Sequence, residues 1–393
     1  NNIEKRMRIE RLDGIIFEKM VRGGLNNLIL HEQEINDMNV FPVPDGDTGY
    51  NMRQTLQNGV NHAASNKHVG NYLKQLSDGM LLGARGNSGV ILSQLFSGLA
   101  AELERDSVVD AGEMKNALIR AYKTAYAAVA HPVEGTVLTV AREGIENVCR
   151  QIRRGTGVDM VFSMYLAEMR KSVKQTPELL RTLKEAGVLD SGAVGYITIV
   201  DGMTRAMFGE EISLPNAVEQ PQNASAVDFS KLGADGTFEY GYCMEFLLQL
   251  LNGKQPVSKF DLNAFTEELQ KYGNSVVAIV SGSIVKAHVH TFFPEKIMAY
   301  AHAFGEFATF KMDNMQLQNK DYEARHEGKK QVVATVADDG MYAAPTASKP
   351  VEHKSLAVVA VADGEGITEI LYGCGADVVI SGGATMNTPS QAF

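Results

Sequence analysis

Asn39-Val40-Phe41-Pro42-Val43-Pro44-Asp45-Gly46-Asp47-Thr48-Gly49-Tyr50-Asn51 packs two prolines, two glycines and two aspartates into one run that leads into a helix. On either side of it, apolar residues recur at three- and four-residue spacing. Leu12, Ile15, Ile16 and Met20 precede it; Met52, Leu56 and Val60, then Ile91, Leu95 and Leu99, follow. That period is helical. It continues through expected helices at about 69–82, 114–129, 137–152, 160–173, 178–186 and 192–207. Thr176 before Pro177 reads as an N-cap with proline at the first helical position. Helices of this length joined by short loops suit a bundle or helical barrel. Residues 1–210 are therefore expected to form an all-α N-terminal domain.

The pattern changes after residues 215–236, a stretch with Pro215 and Pro221 and weak periodicity that reads as a linker. Segments 238–251 and 275–291 are strand-like, and 262–271 and 294–304 are helix-like, which makes 237–318 an α+β middle domain. A second polar linker is expected over 319–354. Strand, helix and strand at 355–362, 366–373 and 377–381 then make one βαβ unit. One such unit cannot cover both faces of a parallel sheet. Residues 355–393 thus read as a partial α/β domain, either packed on the middle domain or the front of a longer one.

Composition narrows the function classes. Of 393 residues, 37 are Lys or Arg and 47 Asp or Glu, a net charge of −10 that lacks the basic footprint of a nucleic-acid binder. No apolar run approaches the ~20 residues of a membrane helix, and the polar start has no signal-peptide core. The three cysteines, Cys149, Cys243 and Cys374, are scattered, so a reducing, cytoplasmic setting is expected.

Chemistry concentrates at three places. In a locally extended stretch, Asp45 and Asp47 project to one side, and paired carboxylates without a basic partner invite a hard cation, magnesium. Solvated turn residues or helix caps explain the two acids equally well. A calcium loop starting at Asp45 fails, because Tyr50 and Leu56 stand where it needs Gly and Glu. The second place is Gly83-Ala84-Arg85-Gly86-Asn87-Ser88-Gly89, directly before a helix. It suits a phosphate at a helix start, with Arg85 as a charged donor. The competing explanation, a glycine-rich turn with Ser88 as N-cap, is the better one on this string alone. No P-loop and no dinucleotide fingerprint occurs. At the third place His288 and His290 are two apart in a strand pattern and leave the same face, with Cys243 able to join them on a neighbouring strand. Two imidazoles and a thiolate suit zinc, while spacing alone favours hydrogen-bonded core histidines and a small core cysteine.

Both polar strings, the second extended as Gly86-Asn87-Ser88-Gly89-Val90-Ile91-Leu92-Ser93-Gln94, closely resemble the nucleotide-binding domain of the bacterial fatty acid kinase ATP-binding subunit. That domain is of the helical-barrel type of the dihydroxyacetone kinases. The 132–139 and 187–192 segments resemble its later nucleotide-site segments, and 241–246 and 285–291 resemble its middle domain. The resemblance implies that Asp45 and Asp47 hold magnesium, with Asn39 nearby where dihydroxyacetone kinases use another Asp. It implies that Thr48, Gly49, Asn51, Asn87 and Ser88 line the phosphates of ATP, and that Gly135, Thr136, Val137, Asp190, Ser191 and Gly192 close around the rest. It further implies zinc on Cys243, His288 and His290, an acyl-binding protein that presents the fatty acid for conversion to acyl phosphate in phospholipid metabolism, and a homodimer as an open assembly state. Asp45, Asp47 and Arg85 are the catalytic candidates, Arg85 for steadying charge on the transferring group. Thr291-Phe292-Phe293-Pro294-Glu295 departs from the family's usual continuation, and the third domain stops where family members continue. The alternatives are a dihydroxyacetone (glycerone)-type kinase and a non-enzymatic nucleotide- or zinc-binding adaptor.

Overall fold

The computed structural model describes residues 8–153, 155–214 and 241–317, together with the strand residues at 335–336, 342–343, 359–362 and 378–381. In chain order the first part comprises β1 (Arg11–Asp13), α1 (Gly14–Leu30), α2 (Glu32–Asp37), α3 (Thr48–His62), α4 (Val69–Leu82), α5 (Gly86–Glu102), β2 (Val108–Asp110), α6 (Ala111–Ala128), α7 (Val137–Cys149), α8 (Val158–Val173), α9 (Thr176–Leu179), α10 (Arg181–Ala186) and α11 (Ser191–Met207). Among the described residues only the short antiparallel ribbon β1–β2, with Leu12 opposite Val109, interrupts the expected all-α character.

α11 is the axis of this domain. Ala193 to Val200 are all buried, the mark of a helix surrounded by others rather than lying on a surface. Each large side chain among them contributes roughly 1.5–3 kcal/mol by leaving water. α11 packs closely on α1 because glycines let the backbones approach. A Cβ on Gly202 would lie 2.5 Å from the Gly23 carbonyl oxygen. The helix starts are locally written: Asp13 accepts from Ile16 N at 3.0 Å, and Asp110 with Glu113 forms a full capping box.

Two local expectations are corrected. Thr176 is the first residue of α9 rather than its cap; its hydroxyl donates to Val173 O and accepts from Asp190 N, tying two loops together. The single helix expected over 178–186 is broken at Leu180, whose extended backbone separates α9 from α10.

The middle region has β3 (Tyr242–Leu250), α12 (Leu262–Gln270), β4 (Gly273–Ser281), β5 (Ile284–Thr291), α13 (Pro294–His302) and β6 (Gly305–Asn314). The strands form one antiparallel sheet in the order β4-β5-β3-β6. Period-two alternation divides its faces. Met244, Phe246, Leu248, Val285, Ala287 and Val289 pack with Phe265 and Leu269 of α12 and Ile297 and Ala301 of α13. The opposite face carries Cys243, Glu245, Lys286, His288, His290, Lys311 and Asp313, and it is turned to the helical domain. An isolated bridge between Val129 and Val277, and a small apolar cluster of Ala84, Val90 and Val277, join the two. The chain is thus multidomain, helical first and then α+β.

The contact pattern sets Ala343–Phe393 apart as a second compact unit. Within it Val359–Ala362 pairs in parallel with Val378–Ser381, as expected for the outer strands of a βαβ unit. The helix expected between them, and the linker expected at 215–236, lie outside the described residues. No helix among the described residues is long and apolar enough to cross a membrane.

Candidate functional site: a cavity where four helices begin

α3, α5, α7 and α11 all start at one cavity of about 350 Å³, lined by Asp47 and Thr48, by Gly86, Asn87 and Ser88, by Thr136, Val137 and Leu138, and by Asp190, Ser191 and Gly192. Helix starts expose unpaired N–H groups and the positive dipole end. None of the four has an acidic residue in its first turn, and α3, α5 and α7 have no side-chain cap hydrogen bond. Some of their donors are taken from outside the helix, Gly49 N and Tyr50 N by Asn36 Oδ1, Gly86 N by Glu245 and Val137 N by Asp190, so the N–H groups of Asn87 and Ser88 in the first turn of α5 are the ones best placed for an anion. Ser88 is not the cap of α5: the capping position is Arg85, in extended conformation, and Ser88 lies inside the first turn. Ser191 Oγ donates to Thr48 Oγ1 at 3.1 Å, which brings the starts of α11 and α3 together.

The paired acids sit at the same cavity. Gly46 has φ 66°, and this left-handed turn, rather than plain strand alternation, folds Asp45 back onto Asp47. Both carboxyls are pushed above the ordinary carboxylate range by burial, and Asp45 is pushed further by the charge of Asp47. Asn39 Nδ2 donates to Asp45, and Asn51 donates to Asp47. Two buried, adjoining carboxyls, each raised by burial, are a donor set that a divalent cation would relieve. Asn87 Oδ1 is buried without a hydrogen-bond partner among the described residues, an acceptor available to a bound group. The donor set therefore fits magnesium.

Glu245, His288 and Lys311 form one row across β5, β3 and β6, and His290, Cys243 and Asp313 the next. Except for Lys286, one row further on, these residues line the cavity wall opposite the helix starts. The ligand atoms of Cys243, His288 and His290 lie within 4.8 Å of one another, with 3.1 Å between the two Nε2 atoms. Burial, then the neighbouring His288, lowers the His290 pKa to about 3, so His290 is a neutral ring with a lone pair. Burial also pushes the Cys243 thiol up, with Glu245 and Asp313 adding to it. The neutral ring of His290, the adjacent His288 imidazole and a thiol that a metal would deprotonate fit zinc. His288 Nδ1 contacts Glu245 Oε1 at 3.1 Å, the outer-shell partner such a histidine uses.

Glu245 was not singled out in the sequence, yet it links both halves of the site. Burial alone would raise its pKa. Hydrogen bonding with His288, the charges of His288 and Lys286, and the Gly86 N–H bring it down to about 2 instead. The bond from Gly86 N crosses the domain seam. Buried Lys286 crosses it too, donating to Ala84 O at 2.8 Å. Both could have been found by stepping two residues from Cys243 and His288 along their strands.

Three expected site residues stand elsewhere. Arg85 turns its guanidinium to Tyr50, with Nη1 3.3 Å from the hydroxyl, and does not line the cavity. Gly49 packs on α2, where a Cβ would meet Glu32 O at 2.5 Å. Gly135 has φ 84° and packs on Leu179 and Leu180, so its conformation serves the turn into α7. A second groove, of about 680 Å³ between α6 and β4, contains none of the expected site residues.

Comparison with known proteins gives the same division. Residues 42–205 match the DAK2 domain, and residues 239–322 match the FakA-like middle domain of fatty acid kinase. The chain is 34% identical over 388 residues to an uncharacterized protein of Staphylococcus saprophyticus, covering 98% of this chain and 67% of that one. It is 33% identical over 387 residues to an uncharacterized protein of Staphylococcus aureus, with the same shares covered. Fold and domain matches together define a kinase-type nucleotide-binding subunit, and the DAK2 domain implies ATP as the nucleotide. The chain belongs to the family that joins a DAK2 domain to a FakA-like middle domain.

Proposed function

We propose that the protein transfers the terminal phosphate of ATP to the carboxylate of a fatty acid presented by a separate acyl-binding protein, giving an acyl phosphate. The observation that carries this reading is the convergence of four helix starts and the Asp45–Asp47 pair on one cavity. Phosphoryl transfer needs positioning and charge neutralisation, and both are available there. The carboxyl acceptor follows from the likeness of the middle domain to that of fatty acid kinase.

In this mechanism the first-turn N–H groups of α5, with Asn87 and Ser88, hold the phosphates, and Thr136, Val137 and Ser191 enclose the rest of the nucleotide. Asp45 and Asp47, with Asn39 Oδ1, would hold magnesium, which when bound supplies neutralisation of phosphate charge. A carboxylate oxygen attacks the γ-phosphorus in line, the bond to the β,γ-bridging oxygen breaks, and ADP leaves with those electrons. The acceptor is already an anion, so no general base is required. Residues 1–210 carry the nucleotide in this scheme and 237–318 cover it, in a reducing, cytoplasmic setting.

The test is magnesium-dependent ADP release with an oleate-loaded acyl-binding protein, with dihydroxyacetone, and with neither. Turnover is expected only in the first. In folded Asp45→Ala and Asp47→Ala variants it should fall at least about a hundredfold, the scale of losing one preorganised electrostatic group. Turnover with dihydroxyacetone alone would replace the acceptor, and none with any acceptor would leave a nucleotide- or zinc-binding adaptor.

A further inference from the structure

For a triphosphate site the cavity is short of positive side chains. Its described lining carries the carboxyl groups of Asp45, Asp47, Asp190, Glu245 and Asp313, and Lys311 is its only lysine or arginine. A nucleotide adds about four negative charges of its own, and a divalent ion offsets only two of them. The neighbouring cations are committed elsewhere. Arg85 is held by Tyr50, Arg53 pairs with Glu32, and Lys286 is buried against Ala84 O.

Lys311 stands on β6 directly opposite Glu245 of β3, on the sheet face that closes the cavity. Asp313, two residues on and on the same face, pairs with its ammonium. That pairing uses one of three N–H donors and leaves the others for oxygens in the cavity. The charges that act on Lys311 come first from Asp313, then from Glu245 across the sheet and Arg85 before α5, and Lys311 in turn acts on Asp47 of the paired acids. On the kinase reading, the phosphate that transfers is the one held nearest the paired acids.

We propose that Lys311 is a catalytic residue that contacts the terminal phosphate of the nucleotide, supplied across the domain seam by the middle domain. This assignment rests on the kinase reading above. It gives the middle domain a direct part in nucleotide recognition. A helical domain alone would hold the nucleotide but would lack the cation that distinguishes a triphosphate from a diphosphate. As the bond to the bridging oxygen breaks, charge on the peripheral oxygens of the transferring group faces the ammonium, and no proton moves.

The experiment is calorimetric titration of the whole 393-residue chain with the non-hydrolysable ATP analogue AMP-PNP and with ADP, both in excess magnesium. Lys311→Gln is expected to weaken AMP-PNP about tenfold, equivalent to about 1.4 kcal/mol, and ADP less than about twofold. Lys311→Arg should keep the preference for the triphosphate. An equal loss for both nucleotides, or unchanged AMP-PNP affinity in folded Lys311→Gln, overturns the assignment while leaving the kinase reading intact. Wild-type protein that binds neither nucleotide overturns the kinase reading and the lysine with it.

Discussion

Asp190 puts one carboxyl to two uses. It caps α11 by accepting from Ala193 N at 2.8 Å, and it forms part of the cavity wall. Burial outweighs the N–H groups of Ala193 and Val137 and raises its pKa to about 6. The native chain therefore keeps this proton to a higher pH than the unfolded chain, whose value lies near 3.9. The contribution to stability is full below the unfolded value and is lost as pH rises through about 6. Its whole amplitude is about 3 kcal/mol at 1.36 kcal/mol per unit. Asp190→Asn keeps an oxygen for the cap and removes the titration. Urea denaturation between pH 4 and pH 7 should find the variant gaining on the wild type by up to this amount as pH rises. Parallel curves would show that the buried carboxyl costs nothing. At this scale the sequence was readable where a side chain acts on its own neighbourhood, as with Asp13 and Asp110. It was misleading at Arg85, because the direction of a long side chain is set by what it meets, here Tyr50.

Among the elements, the α1–α11 crossing carries the clearest demand on sequence. Gly23, Gly24 and Gly202 meet there, and a Cβ on Gly202 would also come within 2.6 Å of Asn27 Cβ. Backbone cannot yield as a flexible side chain can, so Gly202→Ala should cost about 1–3 kcal/mol through overpacking. The melting temperature should fall by several degrees, at roughly 2–4 °C per kcal/mol for a domain of this size. An unchanged melting temperature would mean that the two helices can part freely. Helix periods predicted nearly all of the long helices because each buries a continuous stripe. They failed at Leu180, whose extended backbone lies against Gly135 and separates two short helices. β6 went unread for a related reason. It is an edge strand whose residues from Ala308 to Lys311 are exposed, so it lacks the apolar alternation that marks β3 and β5.

Considered whole, the molecule places its Cys243–His288–His290 cluster against the helical domain, with Glu245 reaching from His288 to Gly86 N. A zinc ion there would brace the wall of the nucleotide cavity. Metal analysis of the purified chain should find about one zinc per molecule. With free zinc a thousandfold above its dissociation constant, the metal should add about 4 kcal/mol of stability. Stripping it with a chelator should lower the melting temperature accordingly, and Cys243→Ala should abolish the difference. Zinc-free protein whose melting ignores chelator would return these residues to the role of hydrogen-bonded core.

The helical and mixed domains, the polar string before α3, the glycine string before α5 and the same-face histidine pair on β5 were all determined by the sequence alone. Each depends on residues within a turn or two of one another, where periodicity, capping and backbone freedom act. Only the tertiary structure decided that these pieces share one cavity. It also decided that Gly49 and Gly135 sit in close packing, that Arg85 turns to Tyr50, and that Glu245 and Lys311 complete the wall. The reason is that Glu245 meets Gly86 across 159 residues of chain, a contact set by how two cores dock, which no local pattern encodes.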